Sequence, residues 1–185
     1  MRVIAGSARR LSLMTPRGNA VRPTTDRIKE TLFNMIRDEV PGCRFLDLFA
    51  GSGGIGIEAL SEGADFCVFA DNSRTSAACV KANLAHTHLE ESAAVYTCDF
   101  RQALHRLARS EPFDIVFLDP PYDRGLEIEA LRLLASQDLV SEGGLIIIES
   151  LINADYSNLI PDCFRIERIK RYKTNQHVFL RKENP

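Results

Sequence analysis

The segment Phe45–Gly56 reads FLDLFAGSGGIG and predicts a buried strand, a glycine-rich turn and the start of a helix. Its first five residues are mostly apolar, which is typical of a strand covered on both faces. Glycine allows the backbone to come close to a ligand, and the free N–H groups at the start of a helix attract negative charge. The segment is therefore expected to bind a nucleotide-like ligand.

Three glycines in this segment have the spacing of a dinucleotide-binding turn. They are Gly51, Gly53 and Gly56, and Asp71 lies 20 residues beyond the first of them. A carboxylate at that distance can bind the hydroxyls of a ribose. The spacing alone fits NAD, FAD or S-adenosylmethionine, so the choice between them depends on the rest of the chain.

The composition is that of a soluble globular protein. The chain has 185 residues, of which 45% are hydrophobic and 26% charged, enough for one domain with a substantial core. No apolar run approaches the roughly 18 residues that a membrane span needs, and Met1–Gly6 lacks the apolar core of a signal peptide. We therefore expect a monomeric cytoplasmic protein with no membrane partner.

Cysteine and histidine usage predicts neither disulfides nor a metal site. The five cysteines are odd in number and include no CxxC pair, so buried thiols in a reducing compartment are expected. His86 and His88 are close together but lack matching cysteine or carboxylate ligands.

Positive charge is concentrated at the two ends of the chain. Residues 1–29 contain seven Lys or Arg and one acid, a net of +6, and residues 165–185 contain seven and two, a net of +5. The whole chain carries −2, which leaves −13 for residues 30–164. Basic ends around an acidic middle suggest that the ends bind RNA or DNA. Charges that are merely solvated would give the same count, so this interpretation depends on the motifs below.

Residues 1–42 are expected to form a basic extension that serves the RNA site and covers the cofactor site. Two short extended segments around Gly6 predict a hairpin, and a loop with proline and glycine follows. Thr24 or Thr25 can then cap a helix that runs to about Asp38. The extended segments and the loop are Arg2–Ile4, Arg9–Leu13 and Thr15–Thr25.

Residues 43–185 alternate between strands and helices, which predicts an α/β fold with a Rossmann-like, doubly wound, mostly parallel sheet. The predicted strands are Arg44–Phe49, Phe66–Asp71, Ala93–Cys98, Phe113–Leu118 and Leu145–Glu149. The predicted helices are Gly54–Glu62, Ser73–Ala85, Phe100–Arg109 and Leu126–Ser136. Gly143 and Gly144 are expected to form a turn before the fifth strand.

The end of the chain breaks this alternation. Phe164–Tyr172 and His177–Arg181 are extended segments whose connection, Lys173–Gln176, is too short for a crossover helix. They are expected to form an antiparallel hairpin at one edge of the sheet. A parallel sheet with a terminal hairpin distinguishes class I methyltransferases from NAD-binding domains. The pattern therefore favours S-adenosylmethionine as the cofactor.

Four aspartates fall at or just past the predicted carboxyl ends of strands, where ligands bind in open α/β sheets. They are Asp47, Asp71, Asp99 and Asp119. Aspartate is common in loops and helix caps, which would explain any one of the four. Four at corresponding positions favour a polar site for a ligand with hydroxyl and amino groups.

The last of these aspartates begins the sequence Asp119-Pro120-Pro121-Tyr122, which we call the acceptor loop. Two prolines fix the backbone and leave carbonyl acceptors without N–H donors. Hydrogen bonds from an exocyclic base amine to the Asp119 carboxylate and the Pro120 carbonyl would direct the lone pair of the nitrogen toward a methyl group on a sulfonium. Tyr122 can stack on the base after it has left its helix. Charge neutralisation of a sulfonium needs no metal, and positioning supplies much of the rate.

DPPY and FLDLFAGSGGIGIEAL together resemble the amino-methyltransferases that modify nucleobases or glutamine amides. The segments RVIAGSARR and RPTTDRIKETLFNMI are similar, more specifically, to the bacterial 16S rRNA guanine-N2 methyltransferases of the RsmD family. The resemblance extends from Arg2 to about Arg181. Two departures are Ala70-Asp71-Asn72, where the family usually has a glutamate, and Tyr172-Lys173, where Tyr-Gly is usual.

The resemblance implies a role for each matching position. Target-amine contacts are implied for Asp119, Pro120 and Tyr122. Cofactor contacts are implied for Asp47, Phe49, Ala50, Gly51, Ser52, Gly53, Asp71, Asn72, Asp99 and Phe100. A share of the cofactor or RNA site is implied for Arg22, Thr24 and Arg27, and the charge pattern adds Arg9 and Arg10 as RNA contacts.

We therefore predict an S-adenosylmethionine-dependent enzyme that methylates the N2 amine of a guanine in 16S rRNA, either naked or within a small-subunit assembly particle. An adenine-N6 methyltransferase of DNA or RNA is the alternative with the same acceptor loop. An NAD-dependent oxidoreductase would need a hydride-handling group that DPPY does not offer. A non-catalytic RNA-binding module would not need an intact acceptor loop.

Overall fold

The computed structural model describes residues 1–16, 25–122 and 124–183. The chain forms two compact units, Met1–Asp99 and Phe100–Pro185. The fold class is the expected one: a seven-stranded, mostly parallel sheet with an antiparallel C-terminal pair, accompanied by helices. The division into an extension over residues 1–42 and a catalytic domain over 43–185 remains a prediction.

The first unit contains a three-stranded parallel part of the sheet, in the order β3-β2-β1. Its strands are β1 (Arg44–Leu48), β2 (Phe66–Asp71) and β3 (Ala93–Thr97). Its helices are α1 (Asp26–Ile36), α2 (Gly54–Ser61) and α3 (Arg74–Thr87). The strands β1 and β2 are buried over most of their length, as their apolar composition predicted.

The second unit contains strands in the order β4-β5-β7-β6. Its strands are β4 (Phe113–Leu118), β5 (Val140–Leu151), β6 (Phe164–Arg171) and β7 (Asn175–Lys182). Its helices are α4 (Phe100–Leu107) and α5 (Leu126–Ser136). Strands β4 and β5 are parallel, whereas β7 is antiparallel to both β5 and β6. The expected terminal hairpin is confirmed.

Helix α1 begins where its capping residue predicted. The Oγ1 atom of Thr25 accepts a hydrogen bond from the backbone N–H of Ile28 at 3.4 Å, and Asp26 lies in the first turn, where negative charge is favourable. Thr24, the other candidate cap, lies outside the described residues, as does most of the loop predicted over residues 15–25.

The N-terminal segment folds back on itself, but as less than the predicted hairpin of two strands. Arg2 and Ser12 form a single antiparallel bridge. Backbone hydrogen bonds from Val3 to Leu11 and from Arg10 to Val3, both 2.9 Å, complete the pairing. Arg10, in the turn between the two segments, has a φ of 74°.

Strand β5 corrects the prediction for Gly143 and Gly144. These residues lie inside the strand, which begins at Val140 rather than at Leu145. The register between β4 and β5 shifts between Phe113 and Ile115, and Gly143 has a φ of 68°. Glycine therefore permits an irregularity within a paired strand, where the sequence pattern predicted a turn.

The connection between β6 and β7 is also shorter than predicted. Strand β7 begins at Asn175, because Asn175 and Gln176 pair with Leu151 and Ser150 at the end of β5. Polar residues that were assigned to the turn are therefore buried within the sheet.

Candidate cofactor and acceptor sites

The glycine-rich turn leaves β1 and crosses to the end of β2. The backbone N–H groups of Phe49 and Ala50 both donate to the carbonyl of Ala70, each at 2.9 Å. Phe49, Gly51 and Gly53 all have positive φ angles, of 86°, 56° and 77°. Only glycine adopts such angles without strain, so the two glycines make this tight path possible. Helix α2 begins immediately afterwards at Gly54.

Asp71 connects this turn to the next helix. One carboxylate oxygen of Asp71 accepts a hydrogen bond from the N–H of Gly51 at 2.8 Å, and the other accepts from the N–H of Ser73, also at 2.8 Å. Ser73 in turn caps α3 through its side chain. The structure therefore brings Asp71 and the glycine turn together, with both carboxylate oxygens hydrogen-bonded at the end of β2. Asn72 is the next residue of the chain.

Asp47 lies within β1, as the predicted strand placed it, and it is almost completely buried. Its exposed fraction is only 2%. Its carboxylate accepts a hydrogen bond from the N–H of Gly56 in α2 at 3.0 Å. Burial raises the pKa of Asp47 to about 7, with a smaller contribution in the same direction from the charge of Asp71, while the Gly56 N–H opposes the shift.

The third glycine of the motif serves helix packing. A Cβ atom at Gly56 would lie 2.3 Å from a ring carbon of Phe69 and 2.7 Å from the sulfur of Cys67. Helix α2 can therefore approach β2 this closely only with glycine at this position, as in the dinucleotide-binding motif.

A buried ion pair joins α1 to α2, and the sequence analysis missed it. The Lys29 ammonium lies 2.7 Å from a Glu58 carboxylate oxygen, and both side chains are 0% exposed. Lys29 also donates to the carbonyl of Arg2 at 2.7 Å, and Glu58 accepts from the N–H groups of Ile4 and Ala5. The available signal was a lysine on the same helical face as Leu32, Phe33 and Ile36, all of which are buried.

Asn83 of α3 fixes the backbone of Met14 in the N-terminal segment. Its amide donates to the carbonyl of Met14 and accepts from the N–H of Met14, at 2.9 and 2.8 Å. The same amide donates to the carbonyl of Ser52 in the glycine turn at 2.9 Å. Met14 is therefore held close to the predicted cofactor turn. Arg22 and Thr24 lie outside the described residues.

In the second unit, the acceptor loop begins directly after β4. Asp119 is partly exposed and Pro120 is buried, while Tyr122 presents 39% of its surface to solvent. Phe100, the first residue of α4, is buried, and the Arg101 guanidinium lies over its ring at 4.4 Å. Arg101 also pairs with Glu129 of α5. Asp99, the last residue of the first unit, is partly exposed.

The basic residues divide into paired and unpaired groups. Arg2 pairs with Asp26, and Lys29 is buried with Glu58. Arg9, Arg10 and Arg27 are exposed, and no carboxylate pairs with them among the residues that the structure describes.

The charged residues of the edge strand β6 also divide into those that form ion pairs and those that do not. Arg165 pairs with Glu183, and Glu167 of β6 pairs with Arg181 of β7. Arg168, Lys170 and Arg171 are exposed and without a carboxylate partner in the described part of the chain.

Over residues 1–16, 25–122 and 124–183, no group of three or more His, Cys, Asp or Glu residues is arranged to hold a metal ion. None of the helices in those ranges combines the length and the apolar character that crossing a bilayer requires.

Residues 1–181 match the family described as Conserved hypothetical protein 95. The chain belongs to this family, the RsmD family. It is 45% identical over 150 residues to the Bacillus subtilis protein named "Putative rRNA methyltransferase YlbH", which covers 80% of this chain and 82% of that protein. It is 36% identical over 151 residues to ribosomal RNA small subunit methyltransferase D of Escherichia coli, which covers 81% and 74%.

The structural comparison agrees with the family assignment. The solved structure of "Putative methyltransferase yhhF" from Escherichia coli matches this RsmD-family chain with a TM-score of 0.85 and 31% identity, over 100% of this chain and 99% of that one. The chain is a methyltransferase, and S-adenosylmethionine is its expected cofactor. The family resemblance inferred from the motifs is confirmed, while the assignments of individual site residues remain predictions.

Proposed function

We propose that this methyltransferase transfers a methyl group to the exocyclic N2 amine of a guanine in the RNA of the small ribosomal subunit. The observation that carries the proposal is the acceptor loop: Asp119 and two prolines directly follow a buried parallel strand, with a solvent-exposed Tyr122 beside them. Relatives named for small-subunit rRNA methylation over four fifths of the chain support the choice of substrate.

The first unit offers groups that fit the cofactor. The turn around Gly51 and Gly53 brings the backbone to the edge of the sheet, and the Asp71 carboxylate stands at the end of β2, where it can accept hydrogen bonds from ribose hydroxyls. S-adenosylmethionine, when bound, supplies an electrophilic methyl group on a sulfonium. The residues of this unit proposed to bind it are Asp47, Phe49, Ala50, Gly51, Ser52, Gly53, Asp71, Asn72 and Asp99.

The acceptor loop is proposed to activate the amine. A guanine N2 amine is a poor nucleophile because its lone pair is delocalised into the ring. Hydrogen bonds from its N–H groups to the Asp119 carboxylate and the Pro120 carbonyl favour a tetrahedral nitrogen with a directed lone pair. S-adenosylmethionine would supply the methyl group, and the methylated nitrogen would release one proton to the Asp119 carboxylate, which already accepts a hydrogen bond from it. Positioning of this kind can supply a large part of the rate.

RNA is proposed to contact exposed basic residues near both ends of the chain. In the first unit these contacts are assigned to Arg9, Arg10 and Arg27. Arg22, which lies outside the described residues, is included on the family resemblance alone. In the second unit the contacts are assigned to Arg168, Lys170 and Arg171 on the edge strand. Arginines without a carboxylate partner can neutralise phosphates at no cost in broken ion pairs. We expect the enzyme to act in the cytoplasm as a monomer, on rRNA or on an assembling small-subunit particle.

The test uses 16S rRNA and small-subunit particles from a strain that lacks the gene. Each is incubated with the protein and labelled S-adenosylmethionine, and the modified nucleotide is mapped by mass spectrometry. Methylation of one guanine at N2 is the expected result, and comparison of the two substrates identifies the natural one. A methyl group on adenine N6 would favour the alternative activity, and no methylation of either substrate would overturn the proposal.

A further inference from the structure

A polar cluster of three buried residues and one half-buried residue lies at the carboxyl end of β5. The proposed reaction assigns it no role. Its members are Glu149, Asn175, His177 and Tyr172, which we call the β5–β7 cluster. Asn175 donates to one Glu149 oxygen at 2.7 Å, and His177 contacts the other through Nε2 at 3.2 Å. The Tyr172 hydroxyl lies 3.1 Å from His177 Nδ1.

The donor directions in this cluster converge on Glu149. A carboxylate only accepts hydrogen bonds, so His177 Nε2 must carry the proton that it shares with Glu149. In that tautomer Nδ1 accepts from the Tyr172 hydroxyl. Burial, with a smaller contribution from the charge of Glu149, raises the pKa of Tyr172 to about 12, so this hydroxyl remains a donor at neutral pH. Two side chains therefore hold the carboxylate directly, and a third holds one of them.

The register of the sheet places this carboxylate beside the acceptor loop. Leu118 of β4 is paired with Ile148 of β5 in the parallel ladder. Asp119 and Glu149 are the residues that follow each of them, on neighbouring strands. The ring of His177 packs edge-on against Phe117 at 6.0 Å, two residues before Asp119. The side chain of Glu149 keeps 7% of its surface exposed, whereas that of His177 has none.

We propose that Glu149 accepts the ring N1–H of the target guanine while the acceptor loop binds its N2 amine. This inference rests on the proposed function. The Watson–Crick edge of guanine presents N1–H and the N2 amine as adjacent donors, whereas adenine presents an acceptor at N1. A second carboxylate next to the acceptor loop therefore selects guanine. Tyr172, His177 and Asn175 act as positioning residues that hold Glu149 for this contact.

The burial of Glu149 supports a role in recognising the base. A carboxylate in a mostly buried position is unfavourable unless several donors compensate it. A site that is built to accept an N–H rejects an analogue without that N–H far more strongly than a hydrophobic pocket does. The cluster supplies this kind of discrimination, which the acceptor loop alone lacks because it can bind the amine of either purine.

The test measures base preference with 2-aminopurine, which keeps the exocyclic 2-amine but has an acceptor at N1. The substrate is 16S rRNA assembled by ligation, with guanine or 2-aminopurine at the mapped target nucleotide. Wild-type protein should prefer guanine. Glu149→Gln presents an amide donor to N1 and should shift the guanine to 2-aminopurine ratio of kcat/KM toward 2-aminopurine by about tenfold or more, the value of one good hydrogen bond.

Two further variants separate this role from structural support. Tyr172→Phe removes only the hydroxyl that orients His177. It should also lower the guanine to 2-aminopurine ratio of kcat/KM, but by a smaller factor than Glu149→Gln. Ser150→Ala changes the next residue of β5, whose side chain points to the opposite face, and should leave the ratio unchanged. Affinity for S-adenosylmethionine should be unchanged in all three variants.

The outcomes distinguish the two proposals. If the wild type methylates guanine but the ratio is unchanged in both Glu149→Gln and Tyr172→Phe, the role of the β5–β7 cluster is wrong and the proposed function stands. If the wild type methylates adenine in place of guanine, the proposed function is wrong. The proposed recognition of N1–H by Glu149 is then wrong as well.

Discussion

Asp71 and Asp47 are two aspartates of the first unit with different surroundings. Both oxygens of Asp71 accept backbone N–H groups at 2.8 Å at the end of β2. Asp47, within β1, is buried and accepts one such bond from α2. Hydrogen bonding favours the charged form of a carboxylate, whereas burial opposes it. In Asp47 burial is the stronger effect.

The raised pKa of Asp47 predicts a pH dependence of stability. Its pKa is about 7 in the folded chain against 3.8 for an ordinary aspartate. Folding therefore retains a proton that the unfolded chain releases, so this group makes the free energy of unfolding fall as pH rises from about 4 to 7. Asp47→Asn should be less sensitive to pH over this window, by an amount on the order of a few kcal/mol.

Urea unfolding of both proteins at several pH values measures this difference. The matched control is Asp65→Asn, which changes an exposed aspartate in the same unit. Identical pH profiles for wild type and Asp47→Asn would contradict the prediction.

Asp119→Ala tests the proposed catalytic role of the acceptor loop. Its carboxylate is proposed to form bonds that strengthen toward the transition state, so turnover should fall by orders of magnitude while cofactor affinity stays nearly constant. Asp119→Asn should also be impaired, because one side of its amide becomes a donor. Turnover is measured on the methyl acceptor, and cofactor binding by calorimetry. Near-normal turnover by Asp119→Ala would contradict the mechanism.

Among the elements, helix α1 is connected to the rest of its unit by charge as well as by apolar packing. Lys29 enters a buried ion pair with Glu58 of α2, and the same two side chains hold the backbone of residues 2–5. This pair connects two of the motifs that carry the family resemblance, RPTTDRIKETLF and GSGGIGIEAL. Lys29 and Glu58 therefore give these two segments a direct structural contact.

Removing one partner of the Lys29–Glu58 ion pair should lower the free energy of unfolding. Lys29→Met leaves the Glu58 carboxylate buried without its positive charge and should lower the free energy of unfolding by about 3–5 kcal/mol. The double variant Lys29→Met/Glu58→Gln should recover part of this loss. Chemical denaturation measures both changes, and Arg27→Ala on the exposed face of α1 is the matched control, with an expected change below about 0.5 kcal/mol. A fully stable Lys29→Met protein would show that the ion pair contributes nothing.

At the scale of the whole molecule, the count of basic residues overstates the charge available for RNA. Two of the basic residues in the +6 segment are engaged with carboxylates, Arg2 with Asp26 and Lys29 with Glu58. The same is true of Arg165 at the other end. The exposed residues without such partners, Arg9 and Arg10 among them, are the ones that should bind phosphate.

The salt dependence of RNA binding tests this division. Replacing Arg9 and Arg10 with alanine should weaken rRNA binding and reduce the slope of log affinity against log salt by roughly 0.7–0.9 for each lost phosphate contact. Cofactor affinity should not change. Filter binding at several salt concentrations measures the slope, and Arg165→Ala, whose charge is already paired, should leave it unaltered. An unchanged slope in the double variant would mean that these arginines are only solvated.

Much of the fold and part of the candidate site followed from local pattern. Strands β2 and β4 and helix α5 have the predicted bounds, because continuous apolar runs and helical periodicity are signals that neighbouring residues carry. The glycine turn with Asp71, and the position of the acceptor loop directly after β4, were predictable for the same reason. Turn chemistry and strand ends are properties of a few consecutive residues.

Tertiary structure decided what depends on distant partners. Gly143 and Gly144 became part of β5 because Val140 before them and Leu145 after them both pair with β4. Lys29 is buried because it forms an ion pair with Glu58, which lies 29 positions further along the chain. Glu149 is the centre of a polar cluster because β7 pairs antiparallel with β5. A local pattern reports which residues are apolar, but only the packed chain determines which charge lies opposite which, since that pairing is set by the contacts between elements.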